Sequence, residues 1–208
     1  EQAIHNGAAG AVISSGKKSA YSFHNGFKKC ALLEVADTLR ALGDLAKFYR
    51  NSLPTSFIAV TGSNGKTTTK DMAYHVLGNF KSVSRSRKSF NNFIGVPLTI
   101  FETEITHDFC IVEMGTNAPG EIKRLSEIIF PDLAILTNIS NAHLEGLGSI
   151  EGVASAKSEF IENMAEDGTL ITNADDDWCN QIANRFNGKV ISFGFNQSAD
   201  IKASNVKR

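Results

Sequence analysis

The sequence predicts an α/β fold: a mostly parallel sheet with helices on both faces, preceded by a partial α/β piece. Three observations carry this. Short apolar runs recur without polar alternation, as strands covered on both faces require. Stretches of helical periodicity separate them, and strand–helix alternation of this kind builds parallel sheets. A glycine-rich turn joins the first strand of the series to the helix behind it.

The chain has 208 residues, 42% hydrophobic and 21% charged, the make-up of an ordinary globular protein. Runs such as Phe57–Val60 are too short to cross a bilayer. No charged-then-apolar leader opens the chain, and the expectation is a cytoplasmic protein with no membrane span. An opening at Glu1 rather than methionine reads as an excised piece. The net charge of −1 gives no electrostatic footprint for nucleic acid. Cys30, Cys110 and Cys179 lack metal-site spacing and read as reduced, buried thiols.

The elements divide near Pro54. Before it, 8–14 reads as a helix end running into a short strand. The residues Leu39, Leu42, Leu45, Ala46 and Tyr49 then form a helical stripe, with Asp37 placed to cap it. So few elements cannot enclose a core, so residues 1–52 read as the tail of a domain. From Ser56 onward, strands are expected at 57–60, 82–84, 109–112, 133–136, 170–172 and 190–193. Helices are expected at 66–76, 93–101, 121–129, 150–164 and 178–186. The last residues, 199–208, turn polar, and residues 53–208 read as a second domain incomplete at its end.

Thr61-Gly62-Ser63-Asn64-Gly65-Lys66-Thr67-Thr68 follows an apolar strand and opens a helix. That context makes a polyphosphate cradle: loop N–H groups and a helix N-terminus face the anion, and Lys66 adds a full charge. Thr67 offers a hydroxyl to Mg²⁺. The strict G-x-x-x-x-G-K-[ST] pattern is not met, since Val60 stands at the first glycine; the shorter G-x-x-G-K-T is. The expectation is an ATP-binding, P-loop NTPase-like domain with Gly62, Ser63, Asn64, Gly65, Lys66, Thr67 and Thr68 around the nucleotide. A plain strand–turn–helix connection is the bland alternative.

Further candidates lie downstream. Glu113 ends a buried strand, where open α/β sheets gather ligand-contacting groups, and its carboxylate suits Mg²⁺; it could equally face solvent. His143 follows the next strand, as a ligand or a structural residue. Lys157, on a helix, has no acid one turn away to pair with. Asn91 and Asn92 could cap the helix after them. The basic run Lys81, Arg85, Arg87 and Lys88 is short and without interleaved aromatics, so solvent or an anionic sugar nucleotide suits it better than nucleic acid. His5, His24, His75 and His107 read as surface or structural, and Trp178 as packing.

These blocks, in this order, resemble the Mur ligases and their folylpolyglutamate synthetase relatives. The loop is similar to their ATP loop, Asn91-Asn92-Phe93-Ile94-Gly95-Val96-Pro97 to their asparagine–glycine–proline segment, and Glu113-Met114-Gly115 to their E-x-G. Thr137-Asn138-Ile139 with His143-Leu144-Glu145, then Ala156-Lys157-Ser158-Glu159, complete the set. The resemblance implies an ATP-driven carboxylate–amine ligase acting through an acyl phosphate. It implies Lys66, His143 and Lys157 as catalytic residues, with Lys157 carbamylated into an anion. It implies two Mg²⁺ ions, one at Thr67 and Glu113, the other near His143 and Lys157, and contact of Asn92 with the muramoyl substrate. Residues 1–52 become the end of a UDP-sugar-binding domain, and a C-terminal domain would be needed to close the site. Ala41–Ala46, Gly95–Thr99 and Ala142–Ser149 lean toward the member taking UDP-N-acetylmuramoyl-tripeptide and D-alanyl-D-alanine in peptidoglycan synthesis. Another ligase of the family, or outside it a P-loop switch or kinase, stays open.

Overall fold

The structure, a computed structural model, describes residues 2, 6–18, 31–88 and 90–206. Cys30, His5 and His24 lie outside the described residues. The chain forms two compact units that divide between Leu45 and Ala46.

In the first unit β1 (Gly10–Ser14) pairs in parallel with β2 (Ala31–Val35), Gly10 opposite Ala31 and Ser14 opposite Val35. The second of these strands was not expected. Helix α1 (Thr38–Asn51) begins where Asp37 Oδ1 accepts from the N–H groups of Leu39 at 2.8 Å and Arg40 at 3.1 Å. These bonds satisfy donors that a helix start leaves free. Of the apolar stripe, Ala46 is buried, while Leu39 and Leu45 remain exposed.

The second unit holds seven parallel strands, in the order β4-β5-β3-β6-β7-β8-β9. They are β3 (Ser56–Thr61), β4 (Val83–Arg85), β5 (Phe109–Glu113), β6 (Leu133–Leu136), β7 (Thr169–Asn173), β8 (Lys189–Gly194) and β9 (Ile201–Lys202). The helices are α2 (Lys66–Leu77), α3 (Gly95–Phe101), α4 (Glu121–Ile129), α5 (Leu144–Leu147), α6 (Ile150–Ser158) and α7 (Asp177–Ala183). Neither α5 nor β9 was expected.

Strand alternation sends side chains to two separate cores. Phe57 and Ala59 join Val112, Leu136 and Leu170 beneath α3, α4 and α6. Ile58, Val60 and Ile111 pack instead against Ala73, Tyr74 and Leu77 of α2. Helices therefore cover both faces, as the unbroken apolar runs require.

Three helices differ from expectation for local reasons. The helix expected over 150–164 stops at Ser158 and tightens into a 3₁₀ turn, Glu159–Asn163. There Glu159 turns away to accept from the N–H groups of Gly120 at 2.7 Å and Lys123 at 2.9 Å, capping α4. Helix α3 starts at Gly95 rather than 93, because Asn92 Oδ1 accepts from Ile94 and Gly95 N–H. Helix α7 runs Asp177–Ala183, capped by Asp176, and stops short of 186.

Arg50 fastens the end of α1 to the sheet. Its guanidinium donates to Ile129 O at 2.7 Å and Phe130 O at 2.8 Å, pairs with Asp132 at 3.1 Å, and lies over the Phe57 ring. Asp132 in turn accepts from Phe57 N–H at 2.7 Å. Among the described residues no helix is long and apolar enough to cross a membrane.

Candidate functional site

Strand order decides which loops meet. The chain leaves β3 for β4 on one side, then places β5 and β6 as the two neighbours of β3. Ligands of open α/β sheets sit at such a reversal, beyond the strands' carboxyl ends. The loops after β3, β5 and β6 converge there, with Val60 opposite Glu113 and Thr61 opposite Leu136.

The phosphate loop is braced by the loop after β6. Ser63 N–H donates to Asn138 O at 2.8 Å, and Asn64 N–H to Asn138 Oδ1 at 3.0 Å. Thr137 Oγ1 donates to Asn64 O at 2.6 Å, and Asn64 Nδ2 to Ser140 Oγ at 2.9 Å. Gly62, at φ 139°, is obligatory: a Cβ there would lie 2.0 Å from Thr137 Oγ1. Lys66 at the start of α2 folds over the loop, donating to Gly62 O at 2.9 Å and Ser63 O at 3.1 Å. Burial lowers its pKa, and Glu113 partly offsets that.

Below the loop, Thr67 Oγ1 donates to Glu113 Oε2 at 2.8 Å and Asn91 Nδ2 donates to Oε1 at 2.9 Å. Glu113 does not face solvent: it is 2% exposed, and its own N–H donates to Ser86 Oγ at 2.9 Å. A buried carboxylate with both oxygens fixed by donors is a preoriented hard ligand. Gly115 leaves space for this arrangement, since a Cβ on it would sit 2.8 Å from Asn91 Cγ.

Lys66, Asn91, Asn92, Thr116, Glu121 and His143 line one cleft beside the loop. His143 enters it from a left-handed backbone position, φ 57°, just before α5. Asn92 lies on the same wall while its Oδ1 caps α3. Lys157, on α6, is not among the residues lining the cleft; it is 0% exposed, and its Nζ has no hydrogen-bond partner. Burial, and secondarily the charge of Lys66, bring its pKa down to about 8. It is therefore no ordinary solvated helix lysine.

Sequence reasoning missed several parts. Asn91 was expected as a helix cap and instead holds Glu113. Ser86 and Ser140 were not singled out, although the place of Ser86 just past the end of β4 could have flagged it, and Asn138 was noted only as part of a motif. The basic run is compensated locally, Arg85 by Asp71 at 2.6 Å and Arg87 by Glu102 at 3.0 Å. His107 Nδ1 accepts from Glu104 N–H in a surface turn. Cys110 and Cys179 are free and buried, and burial raises both thiol pKa values. No group of three or more His, Cys, Asp and Glu gathers as a metal site among the described residues.

Parallel strands, a braced glycine loop and a carboxylate facing the loop threonine define a P-loop nucleotide-binding domain. The Mur ligase middle domain matches residues 60–208. The UDP-N-acetylmuramoyl-tripeptide–D-alanyl-D-alanine ligase of Bacillus subtilis is 42% identical over 178 residues, 86% of this chain and 38% of that protein. A crystal structure of MurF from Acinetobacter baumannii superposes with a TM-score of 0.85 at 32% identity, over 99% of this chain and 43% of that one. MurF ligase from Thermotoga maritima in complex with ADP gives 0.79 at 27% identity, over 93% of this chain and 49% of that one. The chain belongs to the Mur ligase family. It spans about two fifths of the length of the curated relatives it matches.

Proposed function

We propose that this chain is the ATP-binding centre of a ligase that joins D-alanyl-D-alanine to UDP-N-acetylmuramoyl-tripeptide in peptidoglycan precursor synthesis. The observation that carries the reading is Lys157, a fully buried amine without a partner beside Lys66. A nucleotide switch or kinase has no use for such a group. A ligase has one, because a carbamate formed there becomes an anionic ligand. In that step the neutral Nζ attacks CO₂, an N–C bond forms and one proton leaves; a pKa of about 8 makes the neutral amine accessible near neutral pH.

The donor set fits Mg²⁺. Thr67 and the fixed carboxylate of Glu113 would hold one ion, His143 and carbamylated Lys157 a second. Bound Mg²⁺ would neutralise charge on the phosphate oxygens and on the substrate carboxylate. The chain's own part is positioning and electrostatics. Loop N–H groups and Lys66 hold the γ-phosphate while the tripeptide carboxylate attacks phosphorus. The bond to the bridging oxygen breaks, ADP leaves and an acyl phosphate results. The amine of D-alanyl-D-alanine then attacks the acyl carbon, phosphate departs and the amine proton is lost. Asn92, which lines the cleft, would touch the muramoyl substrate. Residues 1–52 are read as the end of a UDP-sugar-binding domain and 53–208 as the ATP-binding domain, in a cytoplasmic enzyme closed by a C-terminal domain.

The test uses the whole enzyme: ADP release with UDP-N-acetylmuramoyl-tripeptide and either D-alanyl-D-alanine or single amino acids. Release that needs both the nucleotide sugar and the dipeptide is expected. Release with neither, or a preference for glutamate, overturns the reading.

A further inference from the structure

One buried cation takes no part in the site as described so far. Lys70 lies one turn beyond Lys66 on α2 and is 1% exposed. Burying a lysine head is costly unless donors find acceptors. Here Nζ donates to Ser86 O at 2.9 Å and Lys88 O at 2.8 Å, with Asp71 Oδ1 at 3.5 Å. Those carbonyls belong to the segment that leaves β4 and leads to Asn91.

Two residues there touch Glu113, one at its backbone and one at its carboxylate. Ser86 Oγ accepts the Glu113 N–H at 2.9 Å, and Asn91 Nδ2 donates to Glu113 Oε1 at 2.9 Å. Ser86 is also anchored through its N–H to Ile111 O, at 2.9 Å. Lys88 sits at φ 44°, a conformation disfavoured for a lysine, so something must hold the turn. The two bonds from Lys70 supply that hold.

We propose that Lys70 is a positioning residue for Mg²⁺: it ties Ser86 and Lys88 to the phosphate-loop helix and so fixes Glu113 opposite Thr67. The two lysines of α2 divide the work. Lys66 faces the phosphates, and Lys70 sets the carboxylate that completes the metal side. This rests on the nucleotide-binding reading above, so the test separates the two.

ADP affinity is measured by calorimetry with and without Mg²⁺ for the unsubstituted chain, Lys70→Met and Ser86→Ala. Ser86→Ala leaves the acceptors of Lys70 in place but cuts the link to Glu113, and serves where Lys70→Met does not fold. For either folded variant the expected result is metal-free affinity within about twofold of the unsubstituted chain. The gain on adding Mg²⁺ should fall about tenfold or more, as for residues that orient metal ligands. An unchanged Mg²⁺ gain in a folded variant overturns the positioning role. Equal loss with and without metal also overturns it, since that marks general damage to the fold. If the unsubstituted chain binds no ADP at all, the nucleotide reading fails and this one falls with it.

Discussion

Replacing Lys157 by methionine should stabilise the protein at neutral pH, in CO₂-free buffer. The side chain is 0% exposed and Nζ has no partner, so its charge is carried without compensation. Its pKa is about 8 against the ordinary 10.5. At ~1.36 kcal/mol per tenfold ratio, that difference is a penalty of about 3 kcal/mol. The sign follows from proton counting. Below pH 8 folded and unfolded chains both hold the proton, and the whole penalty is present. Between about 8 and 10.5 the folded chain releases it first, the unfolded state binds more protons, and stability rises with pH. Above that range both are neutral and the penalty is gone. Methionine has similar length and fills the site without charge. Urea unfolding followed by Trp178, the one tryptophan of the chain, should therefore show the variant about 3 kcal/mol more stable at pH 7. The gap should close progressively towards pH 10.5. A variant less stable at pH 7, or a gap that does not change with pH, would refute the claim that an uncompensated cation is buried there. Restoring bicarbonate with Mg²⁺ and nucleotide should shrink the gap at pH 7 for the parent only, because the carbamate removes the cation.

Three other perturbations follow from the same geometry. Glu113→Gln keeps size and the Thr67 contact but removes the charge a hard cation wants, so Mg²⁺-dependent ADP binding should weaken about tenfold or more with metal-free binding little changed, read by calorimetry. Gly62→Ala puts a Cβ 2.0 Å from Thr137 Oγ1 at φ 139°; a loss of at least about 2 kcal/mol in urea unfolding is expected, and nucleotide binding should be lost with the loop geometry. Arg50→Met strips donors from Ile129 O, Phe130 O and Asp132, which should cost about 2–3 kcal/mol in the same unfolding assay without altering ADP affinity.

The fold was legible because its signals are local. Unbroken runs such as Phe57–Val60 and the helical spacing behind them need only near neighbours to be read. The loop and Glu113 were legible for a related reason: both sit where an apolar strand stops. What escaped was the set of bonds between loops that are distant in sequence. Asn91 reaches Glu113 across 22 positions, and Asn138 reaches Asn64 across 74. These meetings depend on β5 and β6 flanking β3, which local periodicity does not carry. Helix ends escaped for a similar reason. Glu159 ends the regular helix early because the acceptor is wanted at Gly120 and Lys123, about 40 positions back. Within reach of its own residues the 150–164 stretch gives no such sign.

The candidate site groups are placed by the same alternation that buries the core. Phe109 and Ile111 face α2, in the cluster with Ile58 and Val60. Glu113 is two residues further along β5, so it falls on that same face. The row that packs against the body of α2 therefore ends in a carboxylate level with the helix's first turn, where Thr67 donates to it. A shift of one residue along β5 would send Glu113 to the other side of the sheet and put Val112 against Thr67. Lys157 comes from that other side. Val153, Ala154 and Ala156 of α6 pack in the cluster with Phe57 and Ala59, and the lysine reaches the vicinity of Lys66 from there. The two lysines thus belong to helices on opposite faces and approach each other at the carboxyl edge of the sheet.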